Sequence, residues 1–272
     1  MPLSTFEIIA AAYFIVIGLL CPFAGAPPRR AGAVSATAFV LAAAVVAVAH
    51  AFPTGARAWL PHAYLVAGYW LPALAMTARP AAFETWLLKT ERAWRTLPTA
   101  ARTLPPPLKL RRTRRVRHQV AELAYLCCYP LVPAAFIVIY MNGSTSDVNR
   151  FWTAVLAAGF ACYVSLPWVV SRPPRCLEDA EPPDSAIRSI NVRLLDRFSH
   201  GWNTFPSGHV AIAIAAALST MSVAPRAGIV FLIVAVGIVV GSVRGRYHYT
   251  IDALAGVIVG IAVYVGAGFS RP

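Results

Sequence analysis

Eight apolar runs, near residues 6–22, 34–51, 60–77, 120–140, 151–170, 209–223, 227–243 and 249–268, constrain this chain more than any other feature. Each is about one bilayer thickness of helix, counting roughly 20 residues per crossing. Inside hydrocarbon the backbone must satisfy its own hydrogen bonds, which makes a run of this kind a helix. Two runs are less regular: 60–77 carries Pro61 and Pro72, and 209–223 is short unless its helix begins at the Pro-Ser-Gly turn before it. Composition agrees, because 58% hydrophobic residues, 13% charged residues and a mean hydropathy of +0.62 exceed what a soluble core of 272 residues can use. The expectation is an all-α polytopic membrane helical bundle of about eight transmembrane helices.

The first run carries Glu7 and lacks a basic stretch before it. It therefore reads as a retained span, although "FAGAPP" has the small residues of a signal cleavage site. Cys21, Cys127, Cys128 and Cys162 fall in or beside apolar runs and Cys176 stands in a loop. Without a CxxC spacing or an even framework, they suggest neither disulfides nor zinc.

Charge is lopsided. Alternating sides from the N-terminus, all of the 24 Lys and Arg except Arg57, Arg150, Arg226 and Arg271 fall on one side. By the positive-inside tendency that side is cytoplasmic. The densest stretch, 79–118, spaces Phe83, Trp86, Leu87, Trp94 and Leu97 at near-helical intervals among Lys and Arg, then runs into "KLRRTRRVRH". Such a segment suits a helix in the headgroup plane, attracted to anionic membrane lipids rather than to nucleic acid. The other long loop, 172–208, is rich in Pro and mixed charge.

Counting spans brings distant residues together. The run 151–170 ends at "SRPPR", the next begins at "PSGH", and a hairpin turned at "APRA" returns the chain to "SVRGRYHYTID". Arg172, Arg175, Ser207, His209, Arg244, Arg246, His248 and Asp252 thus share one membrane surface. A helix opening at Ser207-Gly208-His209 presents backbone N–H groups and a positive dipole end, a site for phosphate, and Gly208 permits close approach. Arginines add permanently charged planar donors. His248 and Asp252, four apart on the last helix, share a face, so the carboxylate can fix the tautomer and leave the other imidazole nitrogen as nucleophile or base. His209 is then free to act as acid, and the sum is phosphoryl transfer. Glu122, Tyr125 and Tyr129 share a helix face and either line a substrate cleft or pack between helices; Arg246 either joins the cleft or anchors at the interface.

"PSGH" before a membrane helix, "HYTID" before the final helix and "RPPR" upstream together resemble the phosphatidic acid phosphatase type 2 superfamily. "RPPR", "RYHYTID" and "AELAYLCCYPLVPAA" look closer to its inositol phosphorylceramide synthase-like branch. The resemblance covers roughly 120–268 and implies a six-helix lipid-phosphatase-like core. It implies a phosphohistidine on His248, orientation by Asp252, a general acid in His209, and phosphate held by Arg172, Ser207, Gly208 and an arginine of the last motif. It implies no metal and no cofactor. Two positions depart from the pattern: Ser165 stands where a lysine is usual and Ser242 where an arginine is usual. Arg244, four before His248, is the expected substitute for the arginine, and Arg175 for the lysine.

The organisation expected is an N-terminal helix pair over 1–58 and a catalytic unit over 59–272. The activity expected is hydrolysis of a lipid phosphate monoester or pyrophosphate. Transfer of a phosphorylated headgroup to a lipid hydroxyl is the alternative. A transporter or an inactive lipid-binding relative fits less well, since intramembrane charge is nearly confined to Glu7 and Glu122 near span ends. The partner expected is thus a lipid phosphate in the cell membrane. Sidedness is contested, because the charge count puts the site in the cytoplasm whereas the resemblance puts it, by a small margin, on the extracytoplasmic face.

Overall fold

The structure is a computed structural model that describes residues 2–77, 81–96, 108–169, 171–177 and 185–268. Among these, regular structure is helical apart from an isolated bridge between Ser171 and Asn203. Helices α1 (Thr5–Leu20), α2 (Pro28–Ala51), α3 (Thr54–Arg57), α4 (Pro61–Ala73), α5 (Ala81–Thr96), α6 (Leu108–Leu126), α7 (Cys128–Asn142), α8 (Thr145–Tyr163), α9 (Ala186–Phe198), α10 (Gly208–Val223), α11 (Pro225–Arg244) and α12 (Thr250–Gly266) form an all-α membrane bundle. Each of the eight apolar runs overlaps one of α1, α2, α4, α7, α8, α10, α11 and α12, and 120–140 takes in the end of α6 as well. Among the described residues three pieces, Thr5–Ala24, Pro28–Ala51 and Pro225–Arg244, are long and apolar enough to cross a membrane alone. Val116–Leu126 and Cys128–Asn142 make a fourth if their 53° bend belongs to one span.

Helix α10 is the axis of the bundle, packed by α7, α8, α11 and α12. Its sequence "GHVAIAIAAALST" is mostly small residues, nearly all buried. Between helices in lipid there is little hydrophobic drive, so close backbone approach supplies the attraction. Gly256 and Gly260 on α12 show this: a Cβ at the first would lie 2.7 Å from the Ser207 carbonyl oxygen, and at the second 2.6 Å from that of Ala211. This i, i+4 glycine pair packs the second and third turns of α12 against the first turn of α10, next to the site. At 16 residues, α10 spans about 24 Å against about 30 Å for the 20 residues of α11, with which it shares the turn at Ala224.

The N-terminal hairpin is not loosely attached. Tyr13 of α1 stacks on Phe160 of α8 at 4.0 Å, and its hydroxyl donates to the Gly68 carbonyl at 2.7 Å. Glu7, buried completely, accepts from both Arg57 Nε and Arg57 Nη2. Glu7, read from sequence as a charge near a span end, is therefore half of a buried pair with Arg57 that pins α1 to α3.

Candidate active site

His248 lies in the link 245–249 between α11 and α12, which is not helical. Helix α12 starts at Thr250 with Tyr249 as its N-cap. The expected i, i+4 helical register of His248 and Asp252 is thus corrected: Asp252 sits in the first turn and reaches back to a residue before the helix. The pairing itself holds, with His248 Nδ1 2.5 Å from Asp252 Oδ2 and both residues buried. The Tyr247 and His248 amides both donate to the Ser242 carbonyl, at 2.9 and 3.0 Å, which folds the link back on α11. Ser242, the departure from the expected arginine, serves here through its backbone.

The first turn of α10 faces this link. Ser207 donates its N–H to the Asp252 carbonyl at 3.2 Å, and the His209 ring centre lies 6.0 Å from that of His248. Ser207 Oγ and Asp252 Oδ1 are buried and have no hydrogen-bond partner among the described residues. A donor-capable hydroxyl left unmet at a helix N-terminus is what an anion would satisfy. Gly208 leaves room for Tyr163: a Cβ there would lie 2.7 Å from the ring.

Two adjoining cavities meet at His209. The smaller is lined by Tyr125, Arg175, Asn203, Gly208, His209 and His248, among others. The larger, about 350 Å³, is lined by Leu65, Trp70, Tyr129, Leu131, Val132 and Ile212, and shares Tyr69, Tyr163, Leu195, Ser199 and His209 with the first. A small polar pocket thus continues into an apolar slot between α4, α7 and α10.

The arginines separate. Arg175 reaches the small cavity, its guanidinium 5.3 Å from the Tyr247 ring centre, and its N–H donates to the Arg246 carbonyl at 3.0 Å. Arg172 does not line the cavity among the described residues; it is half-exposed and gives Glu84 of α5 three bonds, from its N–H (2.9 Å), Nε (3.1 Å) and Nη2 (2.8 Å). Those bonds hold the Glu84 carboxyl below the ordinary carboxylate range. Arg244 is exposed at the end of α11 and lies off the cavity. The helix stops there, so the spacing of four that favoured it does not carry to His248. Arg246 is buried in the link with a left-handed φ of 62°. Arg188 is buried at Glu122, on which four polar groups converge. Glu122 is accordingly no cleft residue: fully buried, it accepts from Arg188 Nη1 (3.0 Å), Asn191 Nδ2 (2.8 Å) and the Tyr247 hydroxyl (2.6 Å), with His118 Nε2 at 3.5 Å. Tyr125 and Tyr129 do reach the cavities, flanking the His209 ring at 6.1 and 6.4 Å between centres.

Sequence reasoning read a helix where α5 lies but missed its part in the site. Glu84, Leu87 and Glu91 lie at i, i+3 and i+7, and this face packs on the site. Leu87 is buried, and Glu91 accepts from the Thr250 N–H at 2.7 Å and hydroxyl at 3.1 Å, capping α12. The interfacial segment 79–118 was read for its aromatics and basic charge, which hid its two useful acids. Of that segment, 79–80 and 97–107, with Leu97, lie outside the described residues. Missed as well were Asn203, which donates to the Tyr247 carbonyl at 2.9 Å, and His200, stacked on Tyr69 at 4.5 Å. Burial lowers the His200 imidazole to about 4. Ser165, where a lysine was expected, donates to the Phe205 carbonyl at 2.8 Å and so ties the loop before α10. Among the described residues no group of three His, Cys, Asp or Glu is placed to hold a metal ion.

Comparison with known proteins falls on this region. The sequence profile of the PAP2 superfamily matches residues 147–267, which takes in Arg172, Arg175, Ser207, His209, His248 and Asp252 and leaves out α1 to α7. A PA-phosphatase related-family protein of Dictyostelium discoideum is 38% identical over 83 residues, 30% of this chain and 15% of that protein. The chain therefore matches only a small part of that relative's length. No solved structure matches the chain.

Proposed function

We propose that the segment similar to the PAP2 superfamily makes this chain a membrane lipid phosphatase, acting on a phosphate monoester or pyrophosphate through a phosphohistidine. The observation that carries the proposal is the His248–Asp252 pair at 2.5 Å, facing the His209 ring across a cavity that holds Arg175. In the first half-reaction His248 Nε2 attacks phosphorus, the bond from phosphorus to the lipid oxygen breaks, and His209 gives that oxygen a proton. In the second, water attacks the phosphohistidine, His209 takes the water's proton, and the N–P bond breaks to release inorganic phosphate. Asp252 accepts from Nδ1 throughout, which keeps Nε2 as the reacting nitrogen. Arg175, the first turn of α10 and the Ser207 hydroxyl face the phosphate oxygens. Arg172 joins them where phosphate replaces Glu84. The apolar slot beside His209 receives the chain carried by the leaving oxygen. Helices α1 and α2 act as scaffold for the unit over 59–272, and the basic stretch of 79–118 gathers anionic lipid.

A second reading has support of its own. "RPPR" and "RYHYTID" resemble the synthase-like branch, and the slot gives an acceptor lipid a place at His209. An alcohol would then replace water in the second half-reaction. Phosphate release by the purified protein in EDTA, from phosphatidic acid, polyprenyl phosphates and phosphatidylinositol, with and without diacylglycerol or ceramide, separates the two. Release without acceptor is expected. Silence until an acceptor is added, with headgroup appearing on it, selects transfer, and release undiminished in His248→Ala removes the phosphohistidine.

A further inference from the structure

Arg246 holds a left-handed backbone conformation directly before the Tyr247–His248 pair. A non-glycine residue stays there only where its surroundings fix it. The surroundings do so carbonyl by carbonyl. Arg188 Nη1 donates to the Gly245 carbonyl at 3.2 Å, the Arg175 N–H to that of Arg246 at 3.0 Å, and Asn203 Nδ2 to that of Tyr247 at 2.9 Å. The Tyr247 ring is clasped as well, stacked on Tyr125 with centres 4.2 Å apart and planes 9° off parallel, with Arg188 5.7 Å from its centre. Arg188 and the Tyr247 hydroxyl then share one acceptor, the carboxylate of Glu122 on α6.

We infer that Glu122 is a positioning residue for the nucleophile: through Tyr247 and Arg188 it grips the link on which His248 stands. The inference rests on the phosphohistidine proposal, since it concerns where that histidine is held. Removing the charge leaves Arg188 buried without its carboxylate and loosens both the ring and the Gly245 carbonyl. Asp252 still sets the rotation of the imidazole, but the backbone beneath it drifts. Displacement of a reacting group by about 1 Å costs about 10²-fold in rate. Glu122 lies outside residues 147–267, so the similarity to PAP2 proteins says nothing of it. A fully buried carboxylate needs partners, and two of those that Glu122 has, Tyr247 and Arg188, hold the link.

The test uses the full chain in detergent, with Glu122→Gln, Tyr247→Phe and the double variant, assayed on short-chain phosphatidic acid and on p-nitrophenyl phosphate. Tyr247→Phe keeps the stacked ring and removes only the hydroxyl contact, so it remains informative if Glu122→Gln does not fold. Each single variant is expected to lose about 10²-fold in kcat with KM nearly unchanged, and the double to lose no more than the worse single, as for groups acting as one unit. Hydrogen exchange at the Tyr247 and His248 amides, both bonded to Ser242 in the parent, is expected to quicken in the same samples. Lowered melting temperature with kcat retained, or amides equally protected in Tyr247→Phe, overturns the inference. His248→Ala assayed alongside separates the two failures: full turnover in that variant removes the phosphohistidine proposal, whereas an inactive His248→Ala beside a fully active Tyr247→Phe removes only the role of Glu122.

Discussion

His209 and Arg172 carry the sharpest predictions at the scale of single residues. If His209 protonates the leaving oxygen, His209→Ala should lose far more turnover on phosphatidic acid than on p-nitrophenyl phosphate, whose leaving group needs little acid help. Equal losses in kcat on the two substrates count against the role. Glu84 offers Arg172 the kind of oxygen pair that a phosphate would offer. Glu84→Gln should therefore lower KM for a lipid phosphate, by about threefold to tenfold, with kcat little changed; a raised KM would mean that Glu84 aims Arg172 instead of competing for it. Because Arg172 holds the Glu84 carboxyl below its ordinary range, this contact is complete above about pH 4.5 and is lost only as pH falls through the lowered value. The KM difference between Glu84→Gln and the parent should accordingly be constant from pH 5 to pH 8. These residues also show the reach of sequence. "PSGH" and "HYTID" marked His209, His248 and Asp252 because their chemistry is local, whereas Glu84, 88 positions from Arg172, had no local mark.

Helices set the distance between the two histidines. Gly256 and Gly260 let α12 touch the backbone of α10, so a side chain at either must push the helices apart. Gly256→Val is expected to cost about 1–3 kcal/mol and to abolish most turnover, since it lies one turn below Asp252. A melting curve in detergent together with initial rates checks both, and an unshifted melt with full activity would show that the contact is dispensable. The α9–α10 loop adds a pH dependence. Folded His200 resists protonation down to about pH 4, while unfolded it takes a proton near its ordinary 6.5. Its contribution is thus complete above 6.5 and falls away between 6.5 and 4, on the order of 3 kcal/mol in all. His200→Gln should flatten that part of the stability-versus-pH curve measured by thermal melts. A slope unchanged by the substitution would place the acid sensitivity elsewhere. The run 209–223 was legible as a helix from its apolar length. The exact start at Gly208 was legible only through the turn residues before it, and the bend at Cys127 was not legible at all.

For the molecule as a whole, sidedness divides the basic loops from the proposed chemistry. Cys176 is the exposed cysteine beside Arg175, on the same face as the site. If the site is extracytoplasmic, a membrane-impermeant maleimide should label Cys176 in intact cells and fail on Cys176→Ser; labelling only after permeabilisation assigns the site to the cytoplasm and gives weight to the charge count. The sequence by itself determined the membrane class, the helical runs and their approximate bounds, because hydropathy and backbone satisfaction in lipid are properties of consecutive residues. It also determined that His209, His248 and Asp252 meet, because alternate crossings return the chain to one face. Tertiary structure alone decided which charges serve the site. Side-chain direction and burial depend on helix rotation, depth and the ends of helices. For that reason Arg175 faces the cavity, Arg172 is held by Glu84, Arg244 is exposed at the end of α11, and Glu122 leaves the cleft to anchor the link that carries His248.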